Sequence, residues 1–274
     1  MTVNNKNIKM IVTDLDNTLL RTDKTISDYT AGILNKCRQN GIKIVFATAR
    51  PKRTVMRYLD IIPADAVIFH NGAVIYDGRE QIFHCGISSD IAKNILRAVS
   101  HDFPTATLSV EIDDVLYANF EVSAIWNYTE AVFIDFSDFE NNNSMVLPDK
   151  PAEKIIVGMD SVVMTSDNEI NCSKKYLTDD LYMEMTSTDH KLIMIMNRKA
   201  VKSNAVKLLV ERYGYDINDV IAFGDDFNDV EMIKQCGIGV AVSNAIDEAK
   251  LAADFICGSN DDDGVAKWIE ENIF

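Results

Sequence analysis

The sequence has no C-x-x-C pair; its five cysteines, Cys37, Cys85, Cys172, Cys236 and Cys257, stand far apart. That spacing excludes a zinc ribbon and argues against a disulfide framework. There is no apolar run of about 18 residues, the length needed to span a bilayer. Met1 to Lys9 is polar, and only three apolar residues follow before Asp14. No signal peptide is expected, and the expected location is cytoplasmic. Positive charge is scarce, with 27 Lys and Arg against 42 Asp and Glu and a net charge of −15. So acidic a surface repels phosphate backbones and anionic lipid, which argues against nucleic acid or membrane as partner. A small phosphorylated molecule can still bind where a metal ion and a few cations neutralise it locally. Internal repeats and low-complexity tracts are absent too.

What is present is an ordinary globular mixture: 274 residues, 47% hydrophobic and 25% charged. That excludes general disorder and allows one large domain or two ordinary ones. Met10-Ile11-Val12 reads as a buried strand, Ser27 to Asn40 as a helix closed by Gly41, and Ile42 to Ala47 as a second strand. Pro51 opens another helix, Ala66 to Phe69 is a strand, and Asn71-Gly72 turns into Ala73 to Tyr76. The last third alternates likewise. Asn204 to Tyr213 is a helix ended by Gly214, Val220 to Phe223 a strand, and Asp229 to Cys236 a helix. Ile238 to Val242 is a strand, Ala245 to Ala252 a helix and Asp254 to Cys257 a final strand. Such alternation predicts a parallel sheet covered on both faces.

The middle breaks the pattern. After a helix, strands are expected at Thr107 to Ile112, Val115 to Asn119, Lys154 to Val157, Tyr182 to Ser187 and Leu192 to Met196, with a loop at Asn141 to Ser144. Extended segments that follow one another suit a small antiparallel α+β domain. The expected fold is therefore α/β: a Rossmann-like parallel sheet core from residues 1–84 and 190–274, with an α+β domain, 85–189, inserted.

Two acidic clusters fall at the ends of expected strands. Asp14-Leu15-Asp16-Asn17-Thr18 follows the first strand, and Asp225-Asp226-Phe227-Asn228-Asp229 follows Val220 to Phe223. In an open parallel sheet, ligands bind beyond the carboxyl ends of the strands. A lone D-x-D is more often a cap or turn. Asn228 is expected to cap the next helix, with Glu231 completing a capping box. That still leaves Asp225 and Asp229 unexplained, and the two clusters together make the hard oxygen site that Mg²⁺ prefers. Thr48, alone, reads as a helix N-cap, although a hydroxyl beside helix-start N–H groups also suits phosphate. Arg50 reads as a surface cation or a phosphate contact, Lys202 as surface charge. His70 and Asn71 suit a turn or the edge of a site.

In order, Asp14-Leu15-Asp16-Asn17-Thr18, Thr48, Lys202 and Gly224-Asp225-Asp226-Phe227-Asn228-Asp229 resemble the four motifs of the haloacid dehalogenase superfamily of aspartate-nucleophile phosphotransferases. His70-Asn71-Gly72-Ala73, Val201-Lys202-Ser203-Asn204-Ala205, Ser243-Asn244-Ala245 and the tail Asn260-Asp261-Asp262-Asp263-Gly264-Val265-Ala266 are similar to its Cof-type phosphatases, which carry an α/β cap between the second and third motifs. Asn17, Ala49 and Ser203 stand where glycine is frequent in that family.

The resemblance implies a Mg²⁺-dependent phosphatase for small phosphorylated metabolites. Asp14 would attack phosphorus to give an aspartyl-phosphate that water hydrolyses. Asp16 would protonate the leaving alcohol and then activate the water. Asp14, Asp225 and the main-chain carbonyl of Asp16 would bind the metal, with Asp229 in support and orienting Lys202. Leu15, Thr48, Ala49, Arg50, Asn71, Lys202 and Asn228 would hold substrate or phosphate. The insert would be a mobile cap that selects the substrate, hinged near His84 to Gly86 and Thr188 to Lys191. Two other readings share part of this pattern: a phosphomutase on the same scaffold, and a receiver-like binding module that uses Asp, Thr, Lys and Mg²⁺. The insert has no readable substrate code, so sugar phosphates, phosphorylated cofactors and nucleotides are all compatible.

Overall fold

The computed structural model describes residues 7–122, 131–134, 147–158, 175–185 and 192–274. They divide into two compact units, Met1–His84 with Val201–Phe274, and Cys85–Ala200. The first element among the described residues is β1 (Met10–Thr13), whose four residues are all buried, as in a strand covered on both faces. α1 (Asp28–Gln39) starts where the Ser27 hydroxyl accepts the Thr30 N–H and stops before Gly41 at φ +81°. β2 (Lys43–Ala47) and α2 (Lys52–Leu59) follow. The N-cap of α2 is Pro51, not Thr48; the Thr48 hydroxyl instead accepts the Arg50 N–H at 3.1 Å. β3 (Ala66–Phe69) reverses into β4 (Val74–Asp77) and β5 (Glu80–His84). The reversal passes through Asn71 and Gly72, at φ +57° and +114°. A Cβ on Gly72 would lie 2.7 Å from the Val201 carbonyl oxygen, so only glycine fits there.

The second unit holds α3 (Ser89–Asp102), β6 (Thr107–Ile112), β7 (Val115–Ala118), β8 (Ala131–Phe133), β9 (Lys154–Gly158), β10 (Leu181–Met185) and β11 (Leu192–Asn197). Its sheet runs β10-β11-β9-β6-β7-β8. Pairing is antiparallel except between β7 and β8, which the sequence pattern does not announce. Leu96, Val99, Leu108, Val110, Ile155 and Ile195 pack in its core. The boundary expected at 189/190 cuts ahead of β11, but β11 pairs with both β9 and β10. Leaving them would strand its main-chain donors and acceptors, so the second unit runs on to Ala200. Cys172, the loop at Asn141 to Ser144 and the crossing at Thr188 to Lys191 lie outside the described residues.

Back in the first unit, α4 (Lys202–Tyr213) begins two residues earlier than its apolar pattern suggests and ends at Gly214. β12 (Val220–Gly224), α5 (Val230–Gln235), β13 (Ile238–Val242), α6 (Asp247–Ala252), β14 (Phe255–Cys257) and α7 (Gly264–Ile273) complete the chain. The sheet order is β14-β13-β12-β1-β2-β3-β4-β5, parallel from β14 through β3, with β4 and β5 antiparallel at the edge. β1 lies between β12 and β2, the point where the chain changes its direction of travel across the sheet. The register sets Thr13 level with Phe223 on one side and Phe46 on the other. Three carboxyl ends thus open side by side at a switch point, where α/β sheets bind ligands. No helix among the described residues is long and apolar enough to cross a membrane.

Candidate active site

Each of those strand ends delivers a polar group. Asp14 leaves β1 with its N–H on the Phe223 carbonyl at 3.0 Å, and Thr48 leaves β2 with its N–H on the Ile68 carbonyl at 2.8 Å. Asp225 leaves β12. Lys202, the first residue of α4, is 1% exposed. Its Nζ lies 2.6 Å from Asp14 Oδ1 and 2.7 Å from Asp229 Oδ1. The expectation of a surface lysine therefore fails: a cation this deeply buried needs carboxylate partners, and it has two. Burial pulls its pKa down, but Asp14 and Asp229 outweigh that and hold it above the ordinary lysine value.

The other oxygen of Asp229 accepts the N–H groups of Asp225 and Asp226 at 3.0 and 3.2 Å. Asp226, rather than Asn228, caps this helix start, with Asp229 completing the capping box. An Asp three residues on reaches back to the main chain as a Glu would. Asn228 is thereby released, and its Nδ2 donates to Asn71 Oδ1 at 2.9 Å. The fold makes room for Asp229 by having no side chain at Gly224, where a Cβ would fall 2.4 Å from the Asp229 Cβ. Gly224→Ala is expected to lower stability by about 1–3 kcal/mol, as overpacking does. A denaturant titration checks this, and a midpoint equal to wild type would contradict it.

Carboxylate oxygens of Asp14, Asp225 and Asp229 come within 4.8 Å of one another. Were all three carboxylates ionised, with one ammonium among them, two negative charges would remain in a buried cluster. Burial, then repulsion among the acids, raises the Asp14 pKa well above the ordinary value against the pull of Lys202. Burial and Asp229 likewise push Asp225 up to about 7, although Thr18 Oγ1 donates to it at 2.6 Å. A divalent cation would favour the ionised form of all three acids and balance their charge, and all-oxygen donors suit Mg²⁺. The residues present fit such an ion, with Asp14 and Asp225 the available donors and Asp229 already committed to Lys202 and the main chain.

Asp16 belongs to a second group. Arg50 grips it through two bonds, Nε to Oδ2 at 2.6 Å and Nη2 to Oδ1 at 2.7 Å. Lys24 Nζ adds a contact at 2.9 Å. Burial alone would raise the Asp16 pKa, but these cations draw it down to about 2. Arg50 is thus a buried partner of an acid and not a surface cation. Leu15 is fully buried in the core, so only its main chain can face a ligand. Ala49 lies between Thr48 and Arg50 and is half-buried. The structure gathers Asp14, Asp225, Asp229 and Lys202 into one cluster and pairs Asp16 with Arg50 and Asn71 with Asn228. Thr18 and Lys24 are the contributors that sequence reasoning missed; the D-x-D-x-T spacing was the available signal for Thr18, and nothing marked Lys24.

Acids concentrated at the switch point of a Rossmann-like sheet, around one buried lysine, suit the hydrolysis of phosphoric monoesters, and that is the enzyme class comparison with known proteins supports. The chain belongs to the haloacid dehalogenase-like hydrolases, whose family model matches residues 11–269. It is 27% identical over 274 residues to a 5-amino-6-(5-phospho-D-ribitylamino)uracil phosphatase of Bacillus subtilis, covering 96% of both chains. It is 25% identical to a phosphatase of this superfamily from Bacteroides thetaiotaomicron, with a TM-score of 0.77 over 96% of this chain and 94% of that one. A sugar phosphatase of subclass IIB shares the fold at a TM-score of 0.76 and 20% identity, over 96% and 98% of the two chains.

Proposed function

We propose that the chain is a Mg²⁺-dependent phosphatase of small phosphorylated metabolites in which Asp14 is the nucleophile. The observation that carries this reading is the buried Asp14–Lys202–Asp229 triad, with the carboxylate of Asp225 beside it at the switch point. Mg²⁺ held by Asp14, Asp225 and the Asp16 carbonyl would supply the positive charge that lets a carboxylate approach a phosphoryl dianion.

The chain's own groups do the rest. An Asp14 oxygen attacks phosphorus, the ester P–O bond breaks, and the departing alkoxide takes a proton from Asp16. In the second half Asp16 takes a proton from water as that water attacks phosphorus and the Asp14–phosphorus bond breaks. Clamped by Arg50 and Lys24, Asp16 is ionised, the state the second half requires. For the first half the anionic substrate must compete for Arg50 and relax that clamp. Lys202 steadies the Asp14 carboxylate before attack and carries part of the phosphoryl charge during it. Thr48 and the Asn71–Asn228 pair are assigned to the phosphoryl oxygens.

The substrate class follows from the relatives by analogy. One is named for a phosphoribityl compound and another as a sugar phosphatase, so a phosphate ester of a polyhydroxylated chain is proposed. Selection among such esters is assigned to the second unit, because none of the acidic or cationic groups above comes from Cys85–Ala200. A screen of phosphorylated metabolites with Mg²⁺ is expected to release inorganic phosphate, and excess chelator to abolish the release. Phosphate returned to a second position of the sugar, without free phosphate, would mark a mutase. Undiminished turnover in chelator would refute the metal.

A further inference from the structure

One segment of the sequence pattern has no part in the chemistry above: Ser243-Asn244-Ala245, with the tail from Asn260. In the structure the two meet at the turn that carries Asp16. That turn leaves β1 and closes with the Leu20 N–H on the Leu15 carbonyl at 2.7 Å. Asn17 takes it through φ +56°, a left-handed conformation that asparagine tolerates better than most residues. Asn244 Nδ2 donates to the Asn17 carbonyl at 2.7 Å, and Asn244 Oδ1 accepts the Asn260 N–H at 3.0 Å. Asn260 Nδ2 in turn donates to the Leu20 carbonyl at 3.0 Å. The same loop after β13 sends the Ile246 N–H to the Asp225 carbonyl at 2.9 Å.

The demands on residue 244 are specific. A carbonyl can only accept and an N–H can only donate, so the side chain between them must do both. Aspartate lacks the donor and alanine lacks both groups. The tail it leans on is itself anchored, because Asp263 accepts from Ser27 and Arg21, and a Cβ on Gly264 would sit 2.0 Å from the Gly258 carbonyl oxygen.

We infer that Asn244, braced by Asn260, is a positioning residue that fixes the Asn17–Thr18 peptide, one residue beyond Asp16, and so holds the turn that aims the Asp16 carboxyl at the leaving group. This inference rests on Asp16 acting as the acid of the proposed phosphatase. Asn244 touches neither the Asp16 side chain nor the Asp14–Lys202 cluster. It is also exposed, so removing its side chain opens no cavity in the core.

The test compares leaving groups. p-Nitrophenolate departs with little help from an acid, whereas a sugar alkoxide needs a proton. Asn244→Ala is expected to lower the single-turnover rate of alcohol release from a hexose phosphate by about tenfold or more, toward the roughly 10²–10⁴ that a positioned acid contributes. Single-turnover release of p-nitrophenolate should stay within about threefold, since the water-dependent half common to both substrates is not read, and the melting temperature should be unchanged. Asn244→Asp, which keeps the acceptor and loses the donor, should behave the same way. Equal losses on both substrates, or no loss on either, would overturn the inference, as would a loss that tracks unfolding. Asp16→Asn is the control: if it spares the hexose phosphate, the reading of Asp16 as acid has failed and the inference falls with it. If Asp16→Asn discriminates between the substrates and Asn244→Ala does not, only the positioning role is wrong.

Discussion

Asp14→Asn is expected to remove turnover while leaving a folded protein. The exchange replaces one carboxylate oxygen by an amide nitrogen and keeps an acceptor for Lys202, which sits 2.6 Å away. It also removes a charge that burial disfavours, so the thermal midpoint should hold or rise. Activity should nevertheless drop by orders of magnitude, because an amide cannot form the covalent phosphoryl bond that divides the reaction into two easier steps. Each factor of ten is about 1.4 kcal/mol of barrier. A variant retaining more than about a tenth of wild-type kcat would have lost too little for a covalent nucleophile. Phosphate release by purified protein gives the rate, and a melting curve on the same sample separates chemistry from folding.

Lys202→Met should damage both. The ammonium is fully buried between Asp14 and Asp229, and methionine matches its length but not its charge. Removing one partner of a buried ion pair leaves uncompensated charge and costs about 3–5 kcal/mol. A denaturant midpoint shift of that size is expected in metal-free protein, with turnover abolished. Added Mg²⁺ should restore part of the stability, since it would supply some of the missing positive charge. Combined with Asp14→Asn the cost should fall below the sum of the two single changes, as groups in one network couple. A loss below about 1 kcal/mol would mean that Lys202 is not holding the cluster together.

The fold and the site were legible to different depths. Fully buried parallel strands declare themselves as apolar runs, and Met10 to Thr13 and Val220 to Gly224 lie where such runs do. The acids at their carboxyl ends were visible for the same reason, because strand ends are the places a parallel sheet offers to ligands. Lys202 was misjudged from its residues alone. Lysine is seldom buried, and only the packing of α4 against β1 and β12 brings two carboxylates to it across 188 and 27 residues of chain. The cap on Asp226 shows a finer limit: Asp226 and Asn228 are both good cap residues, and main-chain geometry chose between them. The Arg50–Asp16 clamp spans 34 residues and leaves no local signal. β11 was recognised as extended, but the sheet it joins is a tertiary matter that its pattern does not encode.

The central claim is that the phosphoryl group passes through Asp14, and trapping it there is the most direct test. Asp16→Asn should slow the water-dependent half of the reaction while Asp14 can still attack. Mixing this variant with Mg²⁺ and an activated phosphate ester, quenching in acid and reducing with borohydride converts a phosphorylated aspartate to homoserine. Peptide sequencing by mass spectrometry is predicted to find homoserine at position 14 alone. Product formed with aspartate intact at position 14, or with homoserine at position 225 or 229, would contradict the account.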